Sequence, residues 1–101
     1  MSGDESSERQ DATFGRSLRI RNRRGLHARA AAKFVKLAAE FRCDIRVGRS
    51  GQTVSGHSIM GLMMLAAGAG TEIDVSARGE DAEAAMEAIA SLVANKFGEA
   101  K

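Results

Sequence analysis

The sequence contains no tryptophan, tyrosine or proline, only four phenylalanines, and a single cysteine. Because large aromatic side chains are scarce, the core has to be built from aliphatic residues and closely packed helices. The lone Cys43 excludes an intramolecular disulfide and a multi-cysteine metal site, and an unpaired thiol is typical of a reducing compartment. Cys43 precedes Ile45 and Val47 in an apolar alternation, which predicts a buried thiol.

Long apolar runs are missing as well. No segment approaches the roughly 18 consecutive apolar residues that a membrane-spanning helix needs. The N-terminus is polar and acidic, without the basic start and apolar stretch of a signal peptide. We therefore expect a cytoplasmic protein with no membrane partner. A length of 101 residues suits one domain. Residues 1–12 have little to bury and predict a disordered tail, followed by one domain over residues 13–101.

Hydrophobic periodicity divides that domain into seven elements. Period-two alternation, typical of half-buried strands, occurs over residues 14–22, 43–47 and 71–77, and residues 52–55 can form the second arm of a hairpin after the turn at residues 48–51. Helical spacing begins at His27, where it predicts about four turns, and recurs over residues 81–96. Residues 58–65, apolar on nearly all sides, predict a short helix that starts after Ser58. The glycines of residues 66–70 are expected to end the second helix, and Lys96 to end the third. One-faced strands predict an α+β, two-layer open-faced sandwich: a four-stranded antiparallel sheet with three helices on one face, in the order βαββαβα.

Charge is unevenly distributed, although the formal net charge is only +2. Six arginines cluster early in the chain: Arg16, Arg19, Arg21, Arg23, Arg24 and Arg29. Such a cluster could contact nucleic acid, phosphate groups or an acidic protein surface. A nucleic-acid-binding domain is the least supported of these, since the strands lack aromatic residues that stack on bases and Phe14 stands alone. We therefore expect no nucleic-acid partner.

His27 stands where a strand and turn give way to a helix, and Arg29 follows two residues later. The first N–H groups of a helix have no intrahelical partners and, with the helix dipole, stabilise an anion. Ala28, Arg29 and Ala30 would supply these N–H groups, and the Arg29 guanidinium can grip phosphate oxygens in a bidentate way. The positive helix end disfavours imidazolium, which leaves a neutral ring nitrogen for nucleophilic attack on phosphorus. The alternative is that His27 is only a surface or capping residue.

Two longer motifs decide between these interpretations. Residues 25–31 (GLHARAA) look like the active-site signature of the HPr family, the histidine-containing phosphocarriers of the bacterial phosphotransferase system. Residues 58–65 (SIMGLMML) resemble the family's second signature, around its regulatory serine. The spacing of the two motifs and the element order agree, and the resemblance runs from about Phe14 to the C-terminus.

The resemblance implies that His27 carries a phosphoryl group on Nδ1 and that Arg29 neutralises it. The implied donor is Enzyme I, itself phosphorylated from phosphoenolpyruvate, and the implied acceptors are IIA-type proteins. Ser58 matches the serine that an ATP-dependent HPr kinase/phosphorylase modifies, although it could also be only an N-cap. The chain is thus expected to be a phosphohistidine carrier and transfer intermediate rather than a stand-alone enzyme, with no cofactor. A regulatory binding module of the same fold, without phosphotransfer, is the alternative.

The sequence departs from the family pattern at two positions. Ala30 stands where the family usually has proline, which should loosen the helix start because proline presets φ there. Arg24 replaces a residue that is small and polar in many members, and it adds charge near the site that could alter partner preference. With the arginine-rich start, this favours the nitrogen-type or regulatory branch over a sugar-transport carrier.

The methionine-rich helix over residues 59–65 is too short for all its apolar side chains to face inward. We expect Met60 and Met63 to dock partners, with Ile59 at the rim and Arg24 beside them, because flexible methionines suit a surface that meets several proteins. Leu62 and Leu65 are expected in the core. His57 is expected to be a solvated loop residue, and two histidines without a paired acid predict no metal site. We expect a monomer.

Overall fold

The computed structural model describes residues 13–101, so the tail predicted for residues 1–12 lies outside the described residues. The strands are β1 (Thr13–Arg19), β2 (Asp44–Arg49), β3 (Gln52–Ser55) and β4 (Glu72–Arg78). The helices are α1 (Ala28–Ala38), α2 (Ile59–Met64) and α3 (Ala82–Ala94), and a short 3₁₀ turn (Lys96–Gly98) follows. The strands form one open sheet in the order β1-β4-β2-β3, with every neighbouring pair antiparallel. The predicted fold and element order are confirmed.

Alternation along the strands places the core on one face of the sheet. On β4, Ile73 and Val75 are buried while Glu72 and Asp74 are exposed. Helix α3 packs on β1 and β4, and α1 contacts both α2 and α3. Within residues 13–101, every helix is too short or too polar to span a lipid bilayer. The core is mainly aliphatic, as the composition predicts, but the two largest fully buried side chains are those of Phe34 and Phe97.

Helix α1 is shorter than the four turns that the sequence predicts. It has 11 residues and ends at Ala38. Ala39 still donates to the Val35 carbonyl, four residues back, at 3.0 Å. Glu40 and Phe41 bond only three residues back, to the Leu37 carbonyl at 3.0 Å and the Ala38 carbonyl at 3.2 Å. Phe41 nevertheless packs against the core. Its helical spacing therefore reflects its burial and not continuation of the helix.

Two other helix ends differ from expectation. The residue that leaves α2 in the left-handed conformation is Ala66, with φ of 52°, and not a glycine. Helix α3 ends at Ala94, so Lys96 lies beyond its last turn. Lys96, Phe97 and Gly98 all have positive φ, of 58°, 55° and 78°. This turn reverses the chain, which buries the Phe97 ring and returns the last residues to the start of α1.

Cys43 is half-buried and not fully buried as predicted, because it lies one residue before β2 begins. Its side chain packs against the core. Burial raises the pKa of the Cys43 thiol, and the negative charges of Asp81 and Asp44 raise it further. The thiol is therefore protonated at neutral pH and is a weak nucleophile.

Candidate functional site

His27 is the N-cap residue of α1, in an extended conformation with φ of −76° and ψ of 179°. Its carbonyl accepts the first intrahelical hydrogen bond, from Ala31 at 2.8 Å, while its side chain makes no capping bond. The N–H groups of Ala28, Arg29 and Ala30 precede that bond and have no helix carbonyl to pair with. Ala28 and Arg29 are exposed and Ala30 is buried, so the first two border the space an anion can reach.

The turn before His27 is held in place by backbone approach and a buried amide. Gly25 has φ of 69°, and a Cβ there would lie only 2.5 Å from the Ala67 carbonyl oxygen, so only glycine fits. Leu26 donates its N–H to the same carbonyl at 2.9 Å. Asn22 is fully buried and donates Nδ2 to the Gly25 carbonyl at 2.7 Å. These contacts fix the direction in which the chain enters α1.

The C-terminal segment lies against the His27 side chain. Glu99 Oε2 is hydrogen-bonded to His27 Nε2, and Glu99 Oε1 accepts from Asn22 Nδ2 at 3.0 Å. The side chains of His27 and Glu99 are only 15% and 18% exposed. Close by, Arg23 donates its backbone N–H to the Lys101 carbonyl at 2.9 Å. The ring is therefore held by a residue from the far end of the sequence.

Glu99 is ionised at neutral pH. Burial opposes its ionisation, but hydrogen bonds from Asn22 and His27, together with the charges of His27 and Arg24, outweigh it and lower the pKa of Glu99. Neither Glu99 nor Asn22 is a sequence-predicted site residue. Glu99 is 72 positions away from His27, and no local motif or spacing marks a carboxylate near the chain end as a partner of the histidine.

Three arginines of the predicted cluster lie together beside His27. A cavity of about 210 Å³ is lined by Arg23, Arg24, Arg29, Glu99 and Lys101. Arg24 and His27 also line a second cavity of about 250 Å³, whose far wall is the loop after α2. Cations on these walls attract an anion to the start of α1, and a guanidinium can hold two oxygens of one phosphate.

Two of the other three arginines of that cluster, Arg16 and Arg19, lie elsewhere. Arg16 pairs with Glu87 of α3 at 3.8 Å, and Arg19 pairs with Glu72 of β4 at 3.4 Å. Both are therefore part of the strand–helix and strand–strand contacts around β1. The predicted cluster of six is thus not one surface, because the alternating strand directs its side chains to both faces of the sheet.

Ser58 is the N-cap residue of α2, and its Oγ accepts from the Gly61 N–H at 2.9 Å. The residue is half-buried. The capping role predicted for Ser58 is therefore present. Its hydroxyl proton is not used in this bond, since the oxygen acts as the acceptor.

The apolar side chains of α2 and of Leu65, which directly follows it, divide as expected. Leu62 and Leu65 are buried. The exposed group, here called the methionine patch, consists of Ile59, Met60, Met63 and Met64, which are 41%, 69%, 40% and 62% exposed. Met64 was not singled out by the sequence. The loop that follows α2 borders the cavity next to His27, so the patch and the histidine belong to neighbouring surfaces.

His57 lies exposed in the loop before α2. Its backbone N–H donates to Ser55 Oγ at 3.1 Å. Among residues 13–101, no three His, Cys, Asp or Glu side chains are grouped so that they could hold a metal ion.

Comparison with known proteins identifies the family. Residues 15–95 match the sequence profile of the PTS-HPr family, described as the PTS HPr component phosphorylation site. The phosphocarrier protein HPr of Cupriavidus necator is 46% identical over 84 residues, which cover 83% of this chain and 94% of that protein. The phosphocarrier protein NPr of Shewanella violacea is 45% identical over 85 residues, covering 84% and 93%.

A solved structure gives the same result. The crystal structure of HPr-C-His from Thermoanaerobacter tengcongensis superposes with a TM-score of 0.83 at 40% identity, covering 87% of this chain and 99% of that one. Sequence and fold thus agree over most of both chains, as the two motifs predicted. The chain belongs to the HPr family of phosphocarrier proteins of the phosphotransferase system.

Proposed function

We propose that this protein accepts a phosphoryl group on His27 from phospho-Enzyme I and passes it to IIA-type proteins in the cytoplasm. The position of His27 at the start of α1 is the main support for this proposal. It caps α1 with a side chain that makes no capping bond, beside the unpaired N–H groups of Ala28 and Arg29. The cations Arg24 and Arg29 line the adjoining cavities. Because the chain belongs to a family of phosphocarriers, the anion expected at this site is a phosphoryl group on its way between proteins.

The transfer needs only a nucleophile and a place for the charge. A lone pair on a His27 ring nitrogen forms the N–P bond while the bond from phosphorus to the donor atom breaks, and the donor atom keeps that electron pair. The phosphoryl oxygens then lie toward the helix N–H groups and the Arg29 guanidinium, which stabilise their negative charge. Onward transfer reverses these changes. The donor and acceptor proteins supply the remaining groups, so the chain is a transfer intermediate.

The test is phosphorylation of the full chain by Enzyme I and labelled phosphoenolpyruvate. The wild type should take up acid-labile, alkali-stable label, and His27→Ala should take up none. His57→Ala is the matched control, because it removes the other histidine, which is exposed in a loop, and should label like the wild type. Label retained in His27→Ala would place the phosphoryl group elsewhere.

We also propose that an ATP-dependent HPr kinase/phosphorylase modifies Ser58. The second family motif and the position of Ser58 at the start of α2 support this, since a phosphate is electrostatically tolerated at a helix start. With kinase and ATP, Ser58→Ala should lose the label, whereas Ser91→Ala, which alters an exposed serine on α3, should keep it. Labelled Ser58 together with an inert His27 would favour the regulatory binding module instead.

Arg24 is proposed to influence which Enzyme I the protein prefers. The relatives named HPr and NPr are 46% and 45% identical to this chain, so identity favours neither branch. Arg24 lines both cavities beside the site and can contact the partner's surface. Arg24→Ser should change the ratio of phosphorylation rates with sugar-type and nitrogen-type Enzyme I, whereas Arg21→Ser should not. An unchanged ratio in Arg24→Ser would remove Arg24 from partner choice.

A further inference from the structure

The contact between His27 and Glu99 has a chemical consequence for phosphoryl transfer. We propose that Glu99 is a positioning residue that keeps a proton on His27 Nε2, so that Nδ1 takes the phosphoryl group and the ring later departs as a neutral imidazole. This inference rests on the phosphotransfer at His27 proposed above. It adds a residue near the chain end, outside the two family motifs, to the residues that act at His27.

The contact with Glu99 decides which ring nitrogen of His27 carries the proton. An ionised carboxylate can only accept hydrogen bonds, so the nitrogen that faces Glu99 Oε2 must carry the proton. The lowered pKa of Glu99 keeps its carboxylate ionised at neutral pH. In a neutral imidazole with a protonated Nε2, the lone pair lies on Nδ1. Among residues 13–101, no hydrogen bond to His27 Nδ1 competes for that lone pair.

The same proton affects how readily the phosphorylated ring gives up its phosphoryl group. When the N–P bond breaks, its electron pair returns to Nδ1. If Nε2 still carries its proton, the leaving group is neutral imidazole; if Nε2 has lost its proton, the leaving group is the much more basic imidazolate anion. A carboxylate in hydrogen-bond contact favours the protonated ring. Glu99 would thereby keep the phosphohistidine in the form that transfers readily.

The Glu99 carboxylate is held in place from two sides. Asn22, itself fully buried, donates Nδ2 to Glu99 Oε1 at 3.0 Å and to the Gly25 carbonyl at 2.7 Å. On the other side, the Phe97 ring is buried, and Lys33 Nζ donates to the Phe97 carbonyl at 2.7 Å. Glu99 is therefore held from the turn before α1 and from the 3₁₀ turn, which orients its second oxygen toward the ring.

The His27–Glu99 pair is surrounded by basic groups, so the negative charge of Glu99 has a large effect on the protonation of the ring. The basic groups that face this region are Arg23 and Arg24 of the turn, Arg29 and Lys33 of α1, and Lys101 of the C-terminal segment. Each of them disfavours a positive charge on the ring. Among the described residues, Glu99 supplies the one carboxylate side chain that lines the adjoining cavity. The negative charge of Glu99 therefore counteracts these cations at His27 Nε2, the nitrogen that keeps the proton.

The experiment compares the full-length wild type with Glu99→Gln and Glu40→Gln. Glutamine keeps an oxygen that can accept from Asn22 but removes the charge. Glu40 lies beyond the far end of α1 and is exposed, so it controls for loss of one negative charge. Each protein is phosphorylated by Enzyme I, and ¹⁵N chemical shifts of the ring report which nitrogen carries phosphorus and the pKa of the other.

In Glu99→Gln, the pKa of phosphorylated His27 should fall by at least about one unit. The rate of transfer to the acceptor at about pH 8, above the ordinary histidine pKa, should then fall roughly tenfold. Glu40→Gln should match the wild type, and Glu99→Asp, which retains the charge, should recover part of the shift. A pH profile unchanged in Glu99→Gln, or phosphorus on Nε2 in the wild type, would overturn the inference. Failure of wild-type His27 to be phosphorylated at all would instead remove the proposed function.

Discussion

The starts of α1 and α2 are built for different tasks, although both are N-caps within one small domain. At α1 the His27 side chain is only 15% exposed and contacts Glu99, with cations along the adjoining cavity. At α2 the Ser58 side chain caps the helix itself, and Met60, two residues on, is 69% exposed. The first region is polar, covered and held in place, whereas the second is apolar and open. The histidine and the exposed methionines thus lie at the starts of two different helices.

The difference follows from how each helix is anchored. Helix α1 has 11 residues and buries four of them along one face, so its N-terminal end has a fixed direction. Helix α2 has six residues, of which Leu62 alone is buried. The chain leaves α2 through Ala66, which has a left-handed backbone conformation. A short helix with one buried side chain leaves most of its apolar surface uncovered, which is suitable for reversible binding.

The largest effect is expected for Phe97, whose buried ring anchors the turn that precedes Glu99. Phe97→Ala should lower the free energy of unfolding by about 3–5 kcal/mol, because it empties a fully buried aromatic site. Met60→Ala on α2 should change it by no more than about 0.5 kcal/mol, since that side chain is mostly exposed. Urea unfolding measures both. Equal effects of the two substitutions would contradict the contrast between a covered and an open helix start.

The next prediction tests the charge chemistry at α1. Arg29→Ala should slow phosphorylation by Enzyme I by roughly 100-fold, because a donor aimed at the phosphoryl oxygens is lost. Lys36→Ala removes an exposed cation further along the same helix and should leave the rate near that of the wild type. Arg29→Lys should recover only part of the rate, since lysine cannot make the bidentate contact. Rapid-quench kinetics with labelled donor distinguish these outcomes.

A smaller effect is expected at the open surface. Met60→Glu should weaken binding to Enzyme I by about tenfold, because it places a charge in the centre of an apolar contact. Hydrolysis of the phosphohistidine should stay unchanged, since Met60 lies on α2 and not at the ring. Ala84→Glu adds the same charge on an exposed position of α3 and is the control. Calorimetry and hydrolysis rates together test whether recognition and reactivity are separate.

The smallest effect concerns Ala30, where the family usually has proline. Ala30→Pro should raise the free energy of unfolding by about 0.5 kcal/mol, because proline restricts the unfolded chain and the N–H that it removes has no helix partner. The thermal midpoint would rise by about 2–4 °C. Ala32→Pro, two residues further into the helix, should destabilise because its N–H lies beyond the first turn. A destabilised Ala30→Pro would show instead that the buried Ala30 site cannot accept the larger ring.

Much of the fold could be predicted from local pattern. The alternation of Ile73 and Val75 with charged residues marks a one-faced strand, and the spacing of Ala31, Phe34 and Ala38 marks the buried face of α1. Element ends were less predictable. Phe41 follows the helical spacing of α1 but lies outside the helix, because tertiary burial can continue a pattern beyond the hydrogen-bonded turns.

The candidate site was predictable in part. The site residues that a motif could identify lie at or next to the helix starts on which their roles depend: His27, Arg29 and Ser58. A short motif therefore contains both the side chain and its local structure. The arginine cluster shows the limit of this reasoning. Arg16 and Arg24 are close in sequence, yet Arg16 pairs with α3 whereas Arg24 lines the cavity beside His27. Which charges gather is decided by strand direction and by the turn after it.

The sequence by itself determined the strands and helices, and the placement of a nucleophilic histidine at a helix start. It could do so because periodicity and capping depend on neighbouring residues. Only the tertiary structure decided that Glu99 meets His27 and that Asn22 holds it there. That contact joins residues 72 positions apart. It depends on three successive positive φ angles at Lys96–Gly98 and on burial of Phe97, which together return the chain to the start of α1.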